Sequence, residues 1–92
     1  MKITFDPAKN AMNQKKHGVS LVLAESFELE TSVLREDNRA HYGEQRFEAT
    51  GLIGDQIYVF VFCLRDDDEE IRAISLRKAL PREARRYANH HD

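Results

Sequence analysis

Ile71-Arg72-Ala73-Ile74-Ser75-Leu76-Arg77-Lys78-Ala79-Leu80-Pro81-Arg82-Glu83-Ala84-Arg85-Arg86-Tyr87 alternates over its first seven residues and then meets a proline. The alternation predicts a β-strand over 71–77. Pro81 lacks an N–H that would be unpaired at a helix start, and its fixed φ suits that position, so a helix is expected over 81–89. Six cations and one acid fall in this stretch, although the whole chain carries a formal charge of −2. Positive charge gathered on a strand end and a helix implies an anionic ligand, and phosphate points to nucleic acid.

Ninety-two residues, 41% apolar and 33% charged, fit one folded domain spanning 1–92 rather than a disordered chain. No apolar run approaches the ~20 residues of a membrane span, so no membrane association is expected. Met1-Lys2-Ile3-Thr4-Phe5 leads straight into an acid and a proline, unlike a signal peptide. Cys63 is the single cysteine; it has no disulfide partner in the chain, offers no metal cluster, and reads as a small buried hydrophobe. A cytoplasmic protein is expected. The slight negative charge argues against indiscriminate nucleic-acid binding, but its distribution is uneven. Lys2, Lys9, Lys15 and Lys16 make the first twenty residues basic, Asp66 to Glu70 are five acids in a row, and the C-terminal part is basic again.

Working outward from 71–87, Asp6-Pro7 reads as an N-cap and first position of a helix running to His17, with Gly18 as its left-handed C-cap. Ser20 caps a second helix over 21–29, with Val19 and Ala24 at the staple positions and Val22, Leu23 and Phe27 facing the core. Strands are expected over 31–35, 45–53 and 56–64, the last two joined by a Gly54-Asp55 hairpin turn. Ile57 to Leu64 is almost wholly apolar, as in a strand buried on both faces and central in its sheet. The acidic run 66–70 is a solvated turn. The expected class is α+β, in the order α-α-β-β-β-β-α: an antiparallel meander of four strands, two N-terminal helices and one C-terminal helix, with the helices on one side.

A period of two then assigns faces. Arg72, Ile74 and Leu76 share one face of the last strand, with Ile74 and Leu76 in the core. Ser75 and Arg77 lie on the other. Phe47, Ala49 and Ile53 turn inward, leaving Arg46, Glu48 and Thr50 outward. The open face then shows Arg46, Glu48, Thr50, Ser75 and Arg77 over aromatic rings of the central strand. A plain solvated face and an RNA-binding face both fit this pattern.

Three blocks carry a family resemblance. Phe5-Asp6-Pro7-Ala8-Lys9, Asn13 and Lys15-Lys16-His17-Gly18-Val19-Ser20 form the first, and Tyr42-Gly43-Glu44-Gln45-Arg46-Phe47 the second. Ile71 to Ala79 with Arg82-Glu83 and Tyr87 form the third. Together they resemble the BrnT-type toxins, a group with the small RelE-like ribonuclease fold. Phe5 stands where Trp is common, Leu21 where Phe is common, and Pro81 interrupts a run usually given to Ser or Thr. These departures touch packing and capping. The resemblance implies a ribonuclease toxin of a bacterial type II toxin–antitoxin pair. Its partners would be an RNA substrate, a cognate antitoxin with a ribbon-helix-helix domain, and operator DNA bound through the joint complex.

Cleavage of RNA without a metal needs a base for the 2′-hydroxyl, cations for the phosphorane, and an acid for the 5′-oxygen. His17 and His41 are isolated and His90-His91 is terminal, so the spacing suggests no metal ligands and no cofactor is expected. Arg77 is the first choice for transition-state stabilisation and Arg46 the second. Arg72 is third, because alternation puts it on the core side. Glu48 is the candidate base, or the partner of Arg46 in a surface ion pair. Lys16 and His17 are base or acid candidates, or simply cations at a helix C-terminus, where the dipole favours them. Ser75, Lys78, Arg82, Arg85, Arg86 and Tyr87 make up the expected RNA or antitoxin surface, with Tyr87 either stacking on a base or pinning its helix. Two other classes stay open: a catalytically inactive co-repressor partner of a DNA-binding antitoxin, and a stand-alone RNA-binding domain.

Overall fold

The apolar run becomes the long central strand of a five-stranded mixed sheet. A computed structural model describes residues 2–39 and 43–91; His41 and Tyr42 lie outside the described residues. In chain order the elements are β1 (Lys2–Thr4), α1 (Pro7–His17), a 3-10 helix (Leu21–Ser26), β2 (Val33–Glu36), β3 (Arg46–Ile53), β4 (Gln56–Arg65), β5 (Glu70–Lys78) and α2 (Pro81–His90). The strand order is β1-β5-β4-β3-β2. All neighbours are antiparallel except β1, which runs parallel to β5. The expected four-stranded antiparallel meander is therefore corrected. Its strands β2 to β5 exist, but β1 adds a fifth, too short to show a period and paired with a strand 68 positions away (Lys2 with Glu70).

The helical expectations divide. α1 is capped by the Asp6 carboxylate, which accepts from the Ala8 N–H, and ends on left-handed Gly18. Lys15, Lys16 and His17 fill its last turn. The second helix is a 3-10 helix. Its buried residues Leu21 and Ala24, followed by Phe27, recur every third position, the 3-10 period, while Val22 and Leu23 are exposed instead of facing the core. Phe27 is extended and terminates it.

Cross-strand pairs place Phe47, Ala49, Phe60, Phe62, Ala73 and Leu76 on one face with the 3-10 helix. Phe60 is fully buried, its ring 5.3 Å from Phe27 and 5.0 Å from Phe62. Burying one such ring contributes roughly 2–3 kcal/mol relative to exposure. Gly51 is required here, because a Cβ would stand 3.0 Å from both the Phe27 ring and Ser32. The aromatics thus belong to the core face. The opposite face has Val59 and Val61 in the centre, so the expected aromatic floor is replaced by a valine one.

A bulge overturns the face assignment of β5 before residue 75 and leaves that of Ser75, Leu76 and Arg77 as expected. Val61 pairs with Ser75 and Phe62 with Ala73, leaving Ile74 as an extra residue. Ile71, Ala73 and Leu76 enter the core, while Arg72, Ser75 and Arg77 share the other face with Val61 and Cys63. Arg72 is therefore not on the core side, and Ile74 is only half-buried.

The helices do not all cover one face either. α2 lies against the opposite face, over β3, where Tyr87 is buried near Val33 and Thr50. α1 lies along the edge of β5 beyond the three residues paired with β1. Asn13 makes that junction: its Nδ2 donates to the carbonyls of Leu76 and Val19, both at 2.8 Å, and its Oδ1 accepts from the Leu76 N–H at 3.1 Å. The side-chain amide thereby takes the place of a neighbouring strand.

Candidate functional site

The junction of α1 and β5 opens a cleft of about 760 Å³ on the valine face. α1 lines it with Met12, Lys16 and His17, β5 with Ile74, Ser75 and Arg77, and β4 with Val61. Glu48 of β3 and Arg39, which follows β2, form the far side. Three segments distant in sequence thus deliver their cations to one concavity, and Asn13 fixes the end of α1 beside Arg77.

Arg77 is held in a set orientation. Its Nη1 and Nη2 donate to the two oxygens of Glu83 at 2.7 and 2.9 Å. Glu83 also accepts from the Leu80 N–H at 2.8 Å, capping the first turn of α2. A guanidinium has five N–H groups, so this pairing leaves donors for a ligand in the cleft that Arg77 lines. The Arg77 guanidinium, reinforced by the bond from Leu80, pulls the Glu83 carboxyl down to about 2 from its ordinary 4.5. A depressed carboxylate stabilises the fold above its unfolded pKa and loses that contribution as pH falls through its folded pKa. Stability is therefore expected to decline between pH 4.5 and about 2 through this group. Denaturant titrations across that window should show a shallower decline in Glu83→Gln; an identical decline would mean that another carboxylate carries it.

His17 is half-buried, and its pKa lies below the ordinary 6.5. Burial is the first cause, followed by the charges of Lys16 and Arg77. Its imidazole is accordingly neutral at neutral pH and free to accept a proton.

Glu48 has a different setting from the one expected. It is buried, its side chain 9% exposed, and it pairs with Arg35 rather than Arg46. Oε1 accepts from Arg35 Nε at 2.9 Å and lies 2.7 Å from Nη2. Arg46 instead reaches Glu44 at 3.3 Å and does not line the cleft. Arg72 is also outside, donating to the Thr4 hydroxyl at 3.1 Å, which donates to Glu70 at 2.6 Å. The structure thus brings together Arg77, Lys16, His17, Glu48 and Ser75. Lys78, Arg82 and Arg85 are exposed beyond the cleft, and Arg86 is exposed where α2 crosses β2 and β3. Tyr87 is buried, which fits the pinning role and leaves no free ring face for stacking on a base.

Asn13, Arg39 and Glu83 were missed as contributors. Glu83 had a local signal: a Glu at the third helical position after Leu80-Pro81 is half of a capping box. Asn13 and Arg39 had none, because what they touch is settled by the packing of α1 and the path after β2.

Comparisons with known proteins identify the family and the fold. A structure search matches the crystal structure of the ribonuclease toxin BrnT of Brucella abortus, solved at 1.1 Å. The TM-score is 0.69 at 25% identity, covering 87% of this chain and 97% of that one. The search of curated proteins finds no match. The family model described as the ribonuclease toxin BrnT of type II toxin–antitoxin systems matches residues 5–83, most of the chain. This chain belongs to the BrnT ribonuclease toxin family, which implies an RNA substrate and an antitoxin partner.

Proposed function

We propose that this chain is an endoribonuclease that cleaves RNA in the α1–β5 cleft by a metal-free route. The convergence of Arg77 and a neutral His17 on that cleft is the observation that carries the reading. His17 takes the proton of the ribose 2′-hydroxyl, and the resulting oxygen attacks the adjacent phosphorus. Arg77 stabilises the charge of the phosphorane with its preset guanidinium. The P–O5′ bond breaks, and Lys16 protonates the departing oxygen. The products are a 2′,3′-cyclic phosphate and a free 5′-hydroxyl.

The protein acts in the cytoplasm. A ribbon-helix-helix antitoxin neutralises it, and the joint complex binds operator DNA. The exposed cations Lys78, Arg82, Arg85 and Arg86 suit a docking rim for RNA phosphates or for an acidic antitoxin segment. Among the described residues no helix is long and apolar enough to cross a membrane.

Expression of the chain alone is expected to arrest bacterial growth, and the purified protein to leave 2′,3′-cyclic phosphate ends on RNA. Antitoxin binding without arrest or cleavage would favour the co-repressor role. The base assignment has its own test. The acid limb of the cleavage pH–rate profile should have its midpoint below 6.5. Direct NMR titration of the His17 ring in the free protein should give the same midpoint. An acid limb of kcat/KM that does not track the His17 titration would exclude His17 as the base.

A further inference from the structure

We infer that Glu48 reads the nucleobase of the nucleotide held in the cleft, favouring a base with an exocyclic amine over uracil. The inference rests on the RNA-cleaving reading and adds a substrate preference to it.

Glu48 carries a carboxylate nine-tenths buried, with side-chain exposure of 9%. Its Oε1 accepts both contacts from Arg35. Among the described residues no hydrogen bond is made to Oε2, although Glu48 lines the cleft. One oxygen tied to a guanidinium fixes the carboxylate, and Oε2, which is open to solvent, keeps its lone pairs for a donor.

Its position suits a base better than a phosphate. Glu48, Val61 and Ser75 form one cross-strand row on β3, β4 and β5. Adjacent strands are about 4.8 Å apart, so Glu48 stands roughly 10 Å across the sheet from Ser75. His17 and the backbone of Arg77 belong to the β5 side of the cleft, while the Arg77 guanidinium reaches over to Glu83, which shares a smaller pocket with Glu48, and feels the Glu48 charge. A carboxylate repels a phosphate, so a phosphate held by Arg77 and His17 leaves Glu48 to the base of the same nucleotide. The floor between is apolar: Val61 lies in the row, Ile74 is the bulge residue beside it, and Met12 stands 66% exposed on the α1 wall. A flat base laid on these atoms presents its edge to Glu48.

The chemistry then selects the base. An ionised carboxylate only accepts. Adenine, cytosine and guanine each offer an amine on the Watson–Crick edge, and a carboxylate accepting from the cytosine amine is a known pairing. Uracil flanks its one N–H with two carbonyl oxygens, which face the carboxylate unfavourably.

Oligonucleotides with a single ribose, and therefore one cleavable phosphate, test this. The base on its 5′ side is varied through A, C, G and U, and the series is repeated for the 3′ side. The wild type is expected to prefer the amine-bearing bases over uracil by about tenfold or more on one side. Glu48→Gln, whose amide both donates and accepts, should shrink that ratio to within about threefold. Equal loss on all four bases would make Glu48 the catalytic base and overturn the inference, as would a wild type without preference. Binding of 3′-mononucleotides to the wild-type protein, followed by NMR, gives a test independent of any variant. UMP binding as tightly as AMP, CMP and GMP would also overturn it. Arg77→Ala in the same assay separates the two levels. If it cleaves at the wild-type rate, the cleft itself is wrong; if it is slow while Glu48→Gln keeps the base ratio, only the role of Glu48 fails.

Discussion

Arg77→Ala is expected to lower the rate of RNA cleavage about 100-fold and to abolish growth arrest while antitoxin binding persists. The magnitude follows from the role. Losing one preset donor to a transition-state oxyanion costs roughly 3 kcal/mol, because the donor is already oriented when charge develops. Glu83 supplies the orientation here, with two bonds of 2.7 and 2.9 Å. Arg77→Lys should recover only part of the rate, since an ammonium keeps the charge but cannot engage Glu83 bidentately and still present a planar fork. The fold should survive. Arg77 retains 28% side-chain exposure, so breaking this pair costs less than the ~3–5 kcal/mol of a fully buried one. Glu83 also keeps the Leu80 N–H as a donor. Single-turnover cleavage of a labelled RNA by folded Arg77→Ala decides the matter. A wild-type rate would remove Arg77 from the chemistry.

Asn13→Ala is expected to destabilise the protein by about 3 kcal/mol or more. The substitution removes three hydrogen bonds, of 2.8, 2.8 and 3.1 Å, from a site only 4% exposed. Each buried backbone group left unpaired costs ~1–3 kcal/mol, and Leu76 alone presents two of them. For a domain of this size the melting temperature should fall by roughly 12–24 °C. Urea unfolding, compared with Asn10→Ala as a second α1 asparagine, measures it. Asn10 is less buried; its Oδ1 accepts from the Leu21 N–H at 2.8 Å, so the same logic predicts a smaller loss. A shift within about 0.5 kcal/mol of wild type would mean that water replaces the amide and that packing alone holds α1 to β5. A second effect is tied to the first. Asn13 fixes the end of α1, so cleavage should fall further than the folded fraction does.

The local signals were dependable where they concern neighbouring residues. Asp6-Pro7 and Gly18 bound the first helix because a cap, a proline and a left-handed glycine act within one turn. Positive-φ Gly54 and Asp55 close the β3–β4 hairpin, and Phe47, Ala49 and Ile53 face the core as their alternation predicts. The acidic run forms a turn over Asp66 to Glu69, in which Asp66, Asp67 and Asp68 all take positive φ, while Glu70, expected in that turn, opens β5 instead. Arg77, Lys16, His17, Glu48 and Ser75 could be nominated as site residues from charge, face and resemblance. That they converge could not.

The sequence by itself determined the ends of α1, the start of α2, the central hairpin, the apolar strand and the family. Each rests on short-range sterics or on a pattern written along the chain. Only the tertiary structure decided the fifth strand, the bulge at Ile74, and the placing of α1 at the edge of β5 and of α2 over β3. One extra residue reverses every later side chain of a strand, and period-two reasoning has no means of detecting it. That break in phase exchanged the expected faces of Ile71, Arg72 and Ala73, whereas Ser75, Leu76 and Arg77 kept theirs. The site exists because a side-chain amide 63 positions earlier completes the free edge of β5 and carries His17 to Arg77. Such a contact is a property of the packed chain, since neither partner carries a mark of the other in its neighbours.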